Sequence, residues 1–196
     1  MNKNILSYSA KWFVLIIVAA TLLWAVVFDA MTQPKDTETI NVFVTANSCD
    51  IDKIKQKIAT DGITTGVTFA TETDSYYPIQ FSTVALINSD IIIMSSDRIP
   101  QEDAKMQYAE LSEELLQKHG LDKKTLSFVG CQGKNYAIVV FDKQNGINLL
   151  DGLAVFDEEK VYCVAVNVTR PNAYPYSDDK ENTENAFVAL AKLLAN

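Results

Sequence analysis

From Trp12 to Phe28 the chain reads WFVLIIVAATLLWAVVF, an uncharged run whose only polar side chain is Thr21. No other feature limits the chain so strongly. Flanked by Lys11 and Asp29, the run is just long enough to cross a hydrocarbon layer as a helix. Trp12 and Trp24 suit the depth of a membrane interface. Lys3 and Lys11 precede the run without an accompanying acid, and Asp29 follows it directly. The positive-inside rule then places the N-terminus in the cytoplasm and the rest outside, as a single-pass protein of the cell membrane. The competing reading is a cleaved signal peptide, which needs a shorter apolar core and a small-x-small exit. Phe28-Asp29-Ala30 fits that exit poorly, no cysteine follows for lipid attachment, and core helices rarely lack a polar face. The expected division is a cytoplasmic stub and anchor over 1–28, a polar linker over 29–39 containing Pro34, and an extracytoplasmic domain over 40–196.

Beyond the anchor, 15 basic side chains face 25 acidic ones, a net charge of −10. That balance excludes binding to a phosphate backbone, so no nucleic-acid partner is expected. Its ordinary meaning is a solvated surface. The three cysteines, Cys49, Cys131 and Cys163, cannot all pair. Cys131 and Cys163 lie in apolar runs and read as buried small hydrophobes, though one pair is free to bridge in an oxidising compartment.

The domain opens with alternating elements. Ile40–Ala46 (INVFVTA) is a β-branched strand. Ser48 is placed to cap a helix carrying Ile51, Ile54 and Ile58 on one face, with Asp50 and Asp52 in its first turn. Val67–Ala70 is a second strand. The polar loop Thr71–Ser75 and Tyr76-Tyr77 lead to a helix that tolerates Pro78 in its first turn and runs to about Ile87. Asp90–Met94 (DIIIM) is an unbroken apolar run, the pattern of a strand buried on both faces. Short connections through helices make the strands 40–46, 67–70 and 90–94 parallel neighbours. A helix over about 101–119 should turn Tyr108, Leu111 and Leu115 inward. Strands over 126–132, 136–142, 153–156 and 161–168, with turns at Asn145-Gly146 and Asp157–Glu159, read as antiparallel. A last helix over about 181–195 aligns Ala186, Phe187, Leu190, Leu193 and Leu194. The fold class is α/β, a three-layer mixed sheet with an N-terminal parallel βαβαβ unit, antiparallel C-terminal strands and a closing helix, plus one N-terminal transmembrane helix.

The strand INVFVTA with its helix, then VTFAT, NSDIIIMSSD, KNYAIVVFD and the amphipathic NAFVALAKLLAN resemble, in order, the elements of a lobe of the type 2 periplasmic solute-binding proteins. The resemblance covers 40–196 in element order. It implies a solute-binding module. Such receptors close two lobes on their solute and carry a lipid-bearing cysteine. Here about 168 residues beyond the anchor leave room for little more than one lobe, and a helix stands where the cysteine would be. The resemblance therefore implies a reduced, single-lobe, membrane-anchored relative.

Catalytic signatures are missing. The sequence has no Walker A loop, no GxGxxG after a strand, no HExxH and no CxxC. His119 is the only histidine and sits in KHG at a helix end, where a cap is its ordinary role. Cys49 near a helix N-terminus has the setting that lowers a thiol pKa, against the commoner role of a buried structural residue. Asp178-Asp179 and Glu158-Glu159 lie in polar, solvated segments, and Asp178, Asp179 and Glu181 match no calcium loop. The expectation is a non-enzyme without cofactor or metal.

The positional signal is stronger. Ligands of open parallel sheets bind beyond the carboxyl ends of the strands. The turns expected there offer Asn47, Ser48, Thr71, Asp74, Ser75, Tyr76, Ser95 and Ser96 as ligand-binding residues. Helix N–H groups near Ser48 favour an anionic or carbonyl group, and Asp74 opposes a strong anion. The expected ligand is therefore a small polar solute or a peptide segment. The plainer reading makes Ser48 and Ser75 helix caps and packs Tyr76 and Tyr77 over the sheet. Tyr174-Pro175-Tyr176 is a second aromatic contact candidate. The alternative function is a structural or interaction subunit docked on another membrane or envelope protein.

Overall fold

The structure is a computed structural model that describes residues 3–32, 35–99, 104–176 and 183–195. It divides into two compact units, Met1–Lys35 and Asp36–Asn196.

The first unit is helix α1, Lys3–Thr32. Within it, Lys11–Phe28 has a mean hydropathy of 2.3 and none of it is buried. Helix α1 is thus long and apolar enough to cross a membrane. Thr21 satisfies its hydroxyl internally, donating to the Ile17 carbonyl at 2.8 Å. The helix continues past Phe28 into the stretch expected as linker and ends just before the Gln33-Pro34 pair, which lies outside the described residues.

The second unit runs β1 (Thr39–Thr45), β2 (Ser48–Cys49), α2 (Ile51–Ile58), β3 (Thr64–Ala70), α3 (Tyr77–Gln80), a π turn (Phe81–Ala85), α4 (Leu86–Asn88) and β4 (Ile91–Ser95). Then come α5 (Ala104–Gln107), α6 (Glu113–Lys118), β5 (Phe128–Cys131), β6 (Lys134–Asp142), β7 (Ile147–Asn148), β8 (Ala154–Val155), β9 (Tyr162–Val166) and α7 (Asn185–Leu194). One seven-stranded sheet has the order β3-β1-β4-β9-β6-β5, with β7 beside β6, and β2 pairs with β8 in a separate ribbon. The pairs β1/β3 and β1/β4 are parallel, as the short crossovers require. From β4 onward every pairing in the sheet is antiparallel.

The crossovers occupy opposite faces. Ile54 and Ile58 of α2 pack on the face of Ile40, Val42 and Val44, together with α6 and α7. Tyr77, Phe81 and Ala85 cover the other face, against Phe43, Ile92 and Met94. DIIIM is apolar throughout because Ile91 and Ile93 enter the first cluster while Ile92 and Met94 enter the second. Helix α7 buries Ala186, Phe187, Leu190, Leu193 and Leu194 as its spacing predicts.

The helix expected over 101–119 does not form as one piece. Residues 101–103 lie outside the described region, and beyond Gln107 the chain is recruited by the sheet. The Ala109 N–H donates to Val166 and the Leu111 N–H to Asn135, while Val168 donates back to Gln107. The segment crosses the end of the sheet, so Tyr108 is buried in one cluster and Leu111 in the other. Helix α6 then starts afresh, capped by the Ser112 hydroxyl, which accepts the Leu115 N–H at 3.2 Å.

A buried polar knot closes the amino end of the sheet. Asp90 is fully buried. Its Oδ2 accepts the Asn41 N–H at 2.8 Å and its Oδ1 accepts from Asn172 Nδ2 at 2.9 Å. The same amide lies 3.0 Å from the Asp36 and Thr39 carbonyls, and Asn172 Oδ1 accepts the Thr183 hydroxyl at 2.7 Å. Arg170 Nε stands 3.7 Å from Asp90. Burial raises the Asp90 pKa, against the pull of these partners.

Candidate functional site

Strands β1 and β3 end level, Thr45 opposite Ala70, and the Ala46 N–H extends the ladder to the Ala70 carbonyl. Val44 lies opposite Ile93 of β4. The segments beginning at Asn47, Thr71 and Ser96 therefore leave one end of the sheet. The strand order changes direction there, because β3 lies on one side of β1 and β4 on the other.

The expected residues divide on arrival. Asn47 and Ser48 are exposed but are drawn into the ribbon with β8: the Asn47 N–H donates to Val155 and the Asp50 N–H to Leu153, both at 2.8 Å. Ser48 consequently does not cap α2. Asp50 does, its Oδ1 accepting the Lys53 N–H at 3.1 Å, which also lowers the Asp50 pKa. That carboxylate occupies the helix end where a ligand's anionic or carbonyl group was expected. Ser48 instead lines a cavity of about 810 Å³ with Asp50, Lys53, Asn148 and Asp151. In the next turn Asp74 is the organising residue, its Oδ1 accepting the Tyr76 N–H at 2.9 Å. Helix α3 has no side-chain cap, so Ser75 is not one. Tyr76 is 66% exposed, whereas Tyr77 is fully buried. Thr71 is half-buried. Ser95 is buried within β4, and the Ser96 N–H is held by the Val161 carbonyl.

The most constrained polar groups at this end are ones that sequence spacing does not reveal. Glu72 Oε2 accepts from Lys160 Nζ at 2.5 Å, which raises the Lys160 pKa. The Glu72 side chain is only 14% exposed, and its Oε1 is buried with no hydrogen-bond partner. Gln80 Oε1 is likewise buried and unpartnered. Tyr77 shares a 3.1 Å hydrogen bond with Thr45 Oγ1. The Arg98 guanidinium lies 4.9 Å from the Tyr77 ring centre and 5.6 Å from that of Phe81, an arrangement held by the ring quadrupoles. Burial, reinforced by the Glu72 charge, pushes the Tyr162 hydroxyl up to about 12. Glu72 and Lys160 are 88 residues apart, so only the pairing of β9 beside β4 brings them together.

This arrangement presents acceptors held by burial, one ammonium and a stacked guanidinium, a set suited to hydrogen-bonding a polar ligand. It contains no activated nucleophile. The Cys49 pKa is raised by burial and by Asp50, contrary to the helix-end expectation, and burial pushes Cys163 up to about 12. Both are free thiols, so no disulfide forms. His119 caps α6 as expected, but its ring is buried, stacked on Phe187 at 5.6 Å with Nε2 3.4 Å from Glu184 Oε2. Burial lowers its pKa. Asp178, Asp179 and Glu181 lie outside the described residues, and among those described no His, Cys, Asp or Glu group is arranged to hold a metal. Tyr174 is 44% exposed. Tyr176 is half-buried and donates to the Glu110 carbonyl.

No family model and no curated protein matches the chain. Among solved structures it is similar to the N-glycan transport solute binding protein NgtS of Streptococcus pneumoniae, both alone and in complex with Man1GlcNAc. Each match has 21% identity and a TM-score of 0.36 over 54% of this chain. The aligned region spans a quarter of the NgtS chain.

Proposed function

We infer that the chain is a membrane-tethered binding module, held by α1 with its folded unit outside the cytoplasm, that takes a small polar solute at the carboxyl end of β1, β3 and β4. The observation that carries the reading is Glu72. One carboxylate oxygen is fixed by Lys160 and the other is buried without a partner, at the edge where parallel sheets receive ligands. A buried acceptor without a donor costs about 1–3 kcal/mol, a cost that a ligand hydroxyl or ammonium would relieve once the Glu72 side chain turns that oxygen toward the rim. Asp74 beside this loop and the domain's net negative charge favour neutral solutes over anions. The unpartnered acceptors suit binding better than a chemical step, which would need a tuned acid, base or nucleophile. Because the apolar run 12–28 of α1 is preceded by Lys3 and Lys11, the expected orientation is N-terminus inside.

The test uses the full chain in detergent micelles, titrated with a panel of neutral polyols, sugars and short peptides and read by thermal shift and calorimetry. Saturable binding that Glu72→Gln or Lys160→Met weakens, with the fold intact, supports the site. Binding indifferent to both substitutions refutes it. Topology is read separately: an impermeant amine reagent should label the lysines of the folded unit in intact cells, and labelling only after lysis reverses the orientation.

A further inference from the structure

Strand β3 ends the sheet. It is hydrogen-bonded to β1 along all of Thr64–Ala70 without a register break, and among the described residues it has no partner on its other side. Its sequence, TTGVTFA, contains no charge and no proline. Edge strands are usually protected by an inward-pointing charge, a proline, a bulge or a covering element, and β3 has none of the first three. Its faces differ. Val67 and Phe69 pack toward the cluster beneath α2, whereas Thr64 and Thr68 are exposed on the opposite face. The result is a seven-residue backbone template, one side apolar and the other hydroxyl-bearing.

Beside it lies a basic patch on an otherwise acidic domain. Helix α2, IDKIKQKI, carries three lysines and one aspartate. Lys53 is paired with the cap Asp50. Lys55 follows the buried Ile54 and Lys57 precedes the buried Ile58, so the lysines border both flanks of the inward stripe. Lys55 and Lys57 are both half-buried, so a lysine stem borders the inward stripe of α2 on each side. Asp61 precedes β3 and the Lys160-bound Glu72 follows it, which confines favourable charge for an acidic segment to the middle of the strand.

We propose that β3 accepts an extended, acidic segment of a partner protein as an added strand, with main-chain hydrogen bonds to the free edge and its carboxylates met by Lys55 and Lys57. Strand addition of this kind draws affinity from the backbone ladder and selectivity from alternate side chains. A second copy of this chain is a poorer occupant. Antiparallel self-pairing of β3 about a two-fold axis puts both α2 helices on one face of the joined sheet, lysine toward lysine. The surface is separate from the solute site and does not depend on it.

The probe is a capped octapeptide alternating valine or threonine with glutamate, titrated into the full chain in micelles. Three companions go with it: the same peptide N-methylated at alternate amides, a lysine-for-glutamate version, and the Lys55→Glu/Lys57→Glu variant of the protein. Binding should slow hydrogen exchange within residues 64–69. N-methylation along one edge or the double charge reversal should each weaken binding about tenfold, and the reversed protein should prefer the lysine peptide. Equal binding of the N-methylated peptide, protection outside 64–69, or no binding overturns the proposal. So does protection of 64–69 without peptide that grows with protein concentration, because the second copy is then the occupant.

Discussion

Asn172→Ala removes the side chain that ties four parts of the chain together. Asn172 is fully buried. The substitution deletes the donor to Asp90 Oδ1, the acceptor for the Thr183 hydroxyl, and the contacts to the Asp36 and Thr39 carbonyls. The Nδ2 group has two hydrogens for three acceptors, so it contributes the bond to the charged group, worth about 2 kcal/mol, and one neutral bond; with the Thr183 bond, at about 1 kcal/mol for each neutral one, the expected loss is about 4 kcal/mol. Against a total of about 5–15 kcal/mol for a typical domain, this brings the fold near its threshold. The loss should also depend on pH. The Asp90 pKa in the folded protein is already above its ordinary value of 3.8 because of burial. Losing the Asn172 amide raises it further. A carboxyl whose folded pKa exceeds its unfolded one gains folded-state stability as pH falls through the folded value, until the unfolded value is reached. The deficit of Asn172→Ala should therefore shrink between pH 7 and pH 4. Urea unfolding of the full chain in micelles, followed by near-ultraviolet circular dichroism of the tyrosines, measures both effects. A loss under about 1 kcal/mol, or a larger loss that does not vary with pH, would falsify the knot as described. In the Asp90→Asn background the pH dependence should vanish.

Other perturbations test separate features. Asp50→Ala should lower the urea midpoint through the lost cap while Ser48→Ala leaves it nearly unchanged; equal effects in urea unfolding would reinstate Ser48 as the cap. The folded pKa of His119 is lowered by burial, so the folded state favours neutral imidazole and stability should decline as pH falls below the unfolded value near 6.5. His119→Leu should flatten that part of the profile between pH 7.5 and pH 5.5, and an unchanged slope would show that other groups set it. A Cβ on Gly66 would lie 2.3 Å from Asn41 Oδ1, so Gly66→Ala should destabilise by about 1 kcal/mol. The same change in an Asn41→Ala background should be neutral or stabilising, because alanine costs less chain entropy than glycine; a persistent loss there would place the strain elsewhere.

The parallel half of the sheet was legible because its determinants are local. β-Branched runs mark β1 and β3, DIIIM reports burial on both faces of β4, and short helical connections fix the direction. Residues 101–119 misled because Tyr108, Leu111 and Leu115 satisfy a helical spacing while serving a segment that changes faces between Tyr108 and Ala109. The cap of α2 was misplaced by two residues because Ser48 and Asp50 are both good caps. The decision rests with β8, more than a hundred positions along the chain, which takes Ser48 into a ribbon. At the rim, the convergence of three turns followed from topology alone. The Glu72–Lys160 pair has no sequence signature, since its geometry depends on how β9 enters between β4 and β6.

The position of β9 also governs the order in which the fold can be completed as the chain is made. β4 is an entirely buried strand, yet its second neighbour is synthesised some seventy residues later, after β5 and β6. Until then a ribosome-attached or translocating chain holds β1, β3 and β4 with the most apolar strand at an open margin, and such margins recruit strands from other molecules. Emergence of Tyr162–Val166 closes that margin by insertion, and α7 seals one face only once its last turn is free. A truncation before residue 162 should therefore leave a product that aggregates or is degraded rather than a smaller stable domain.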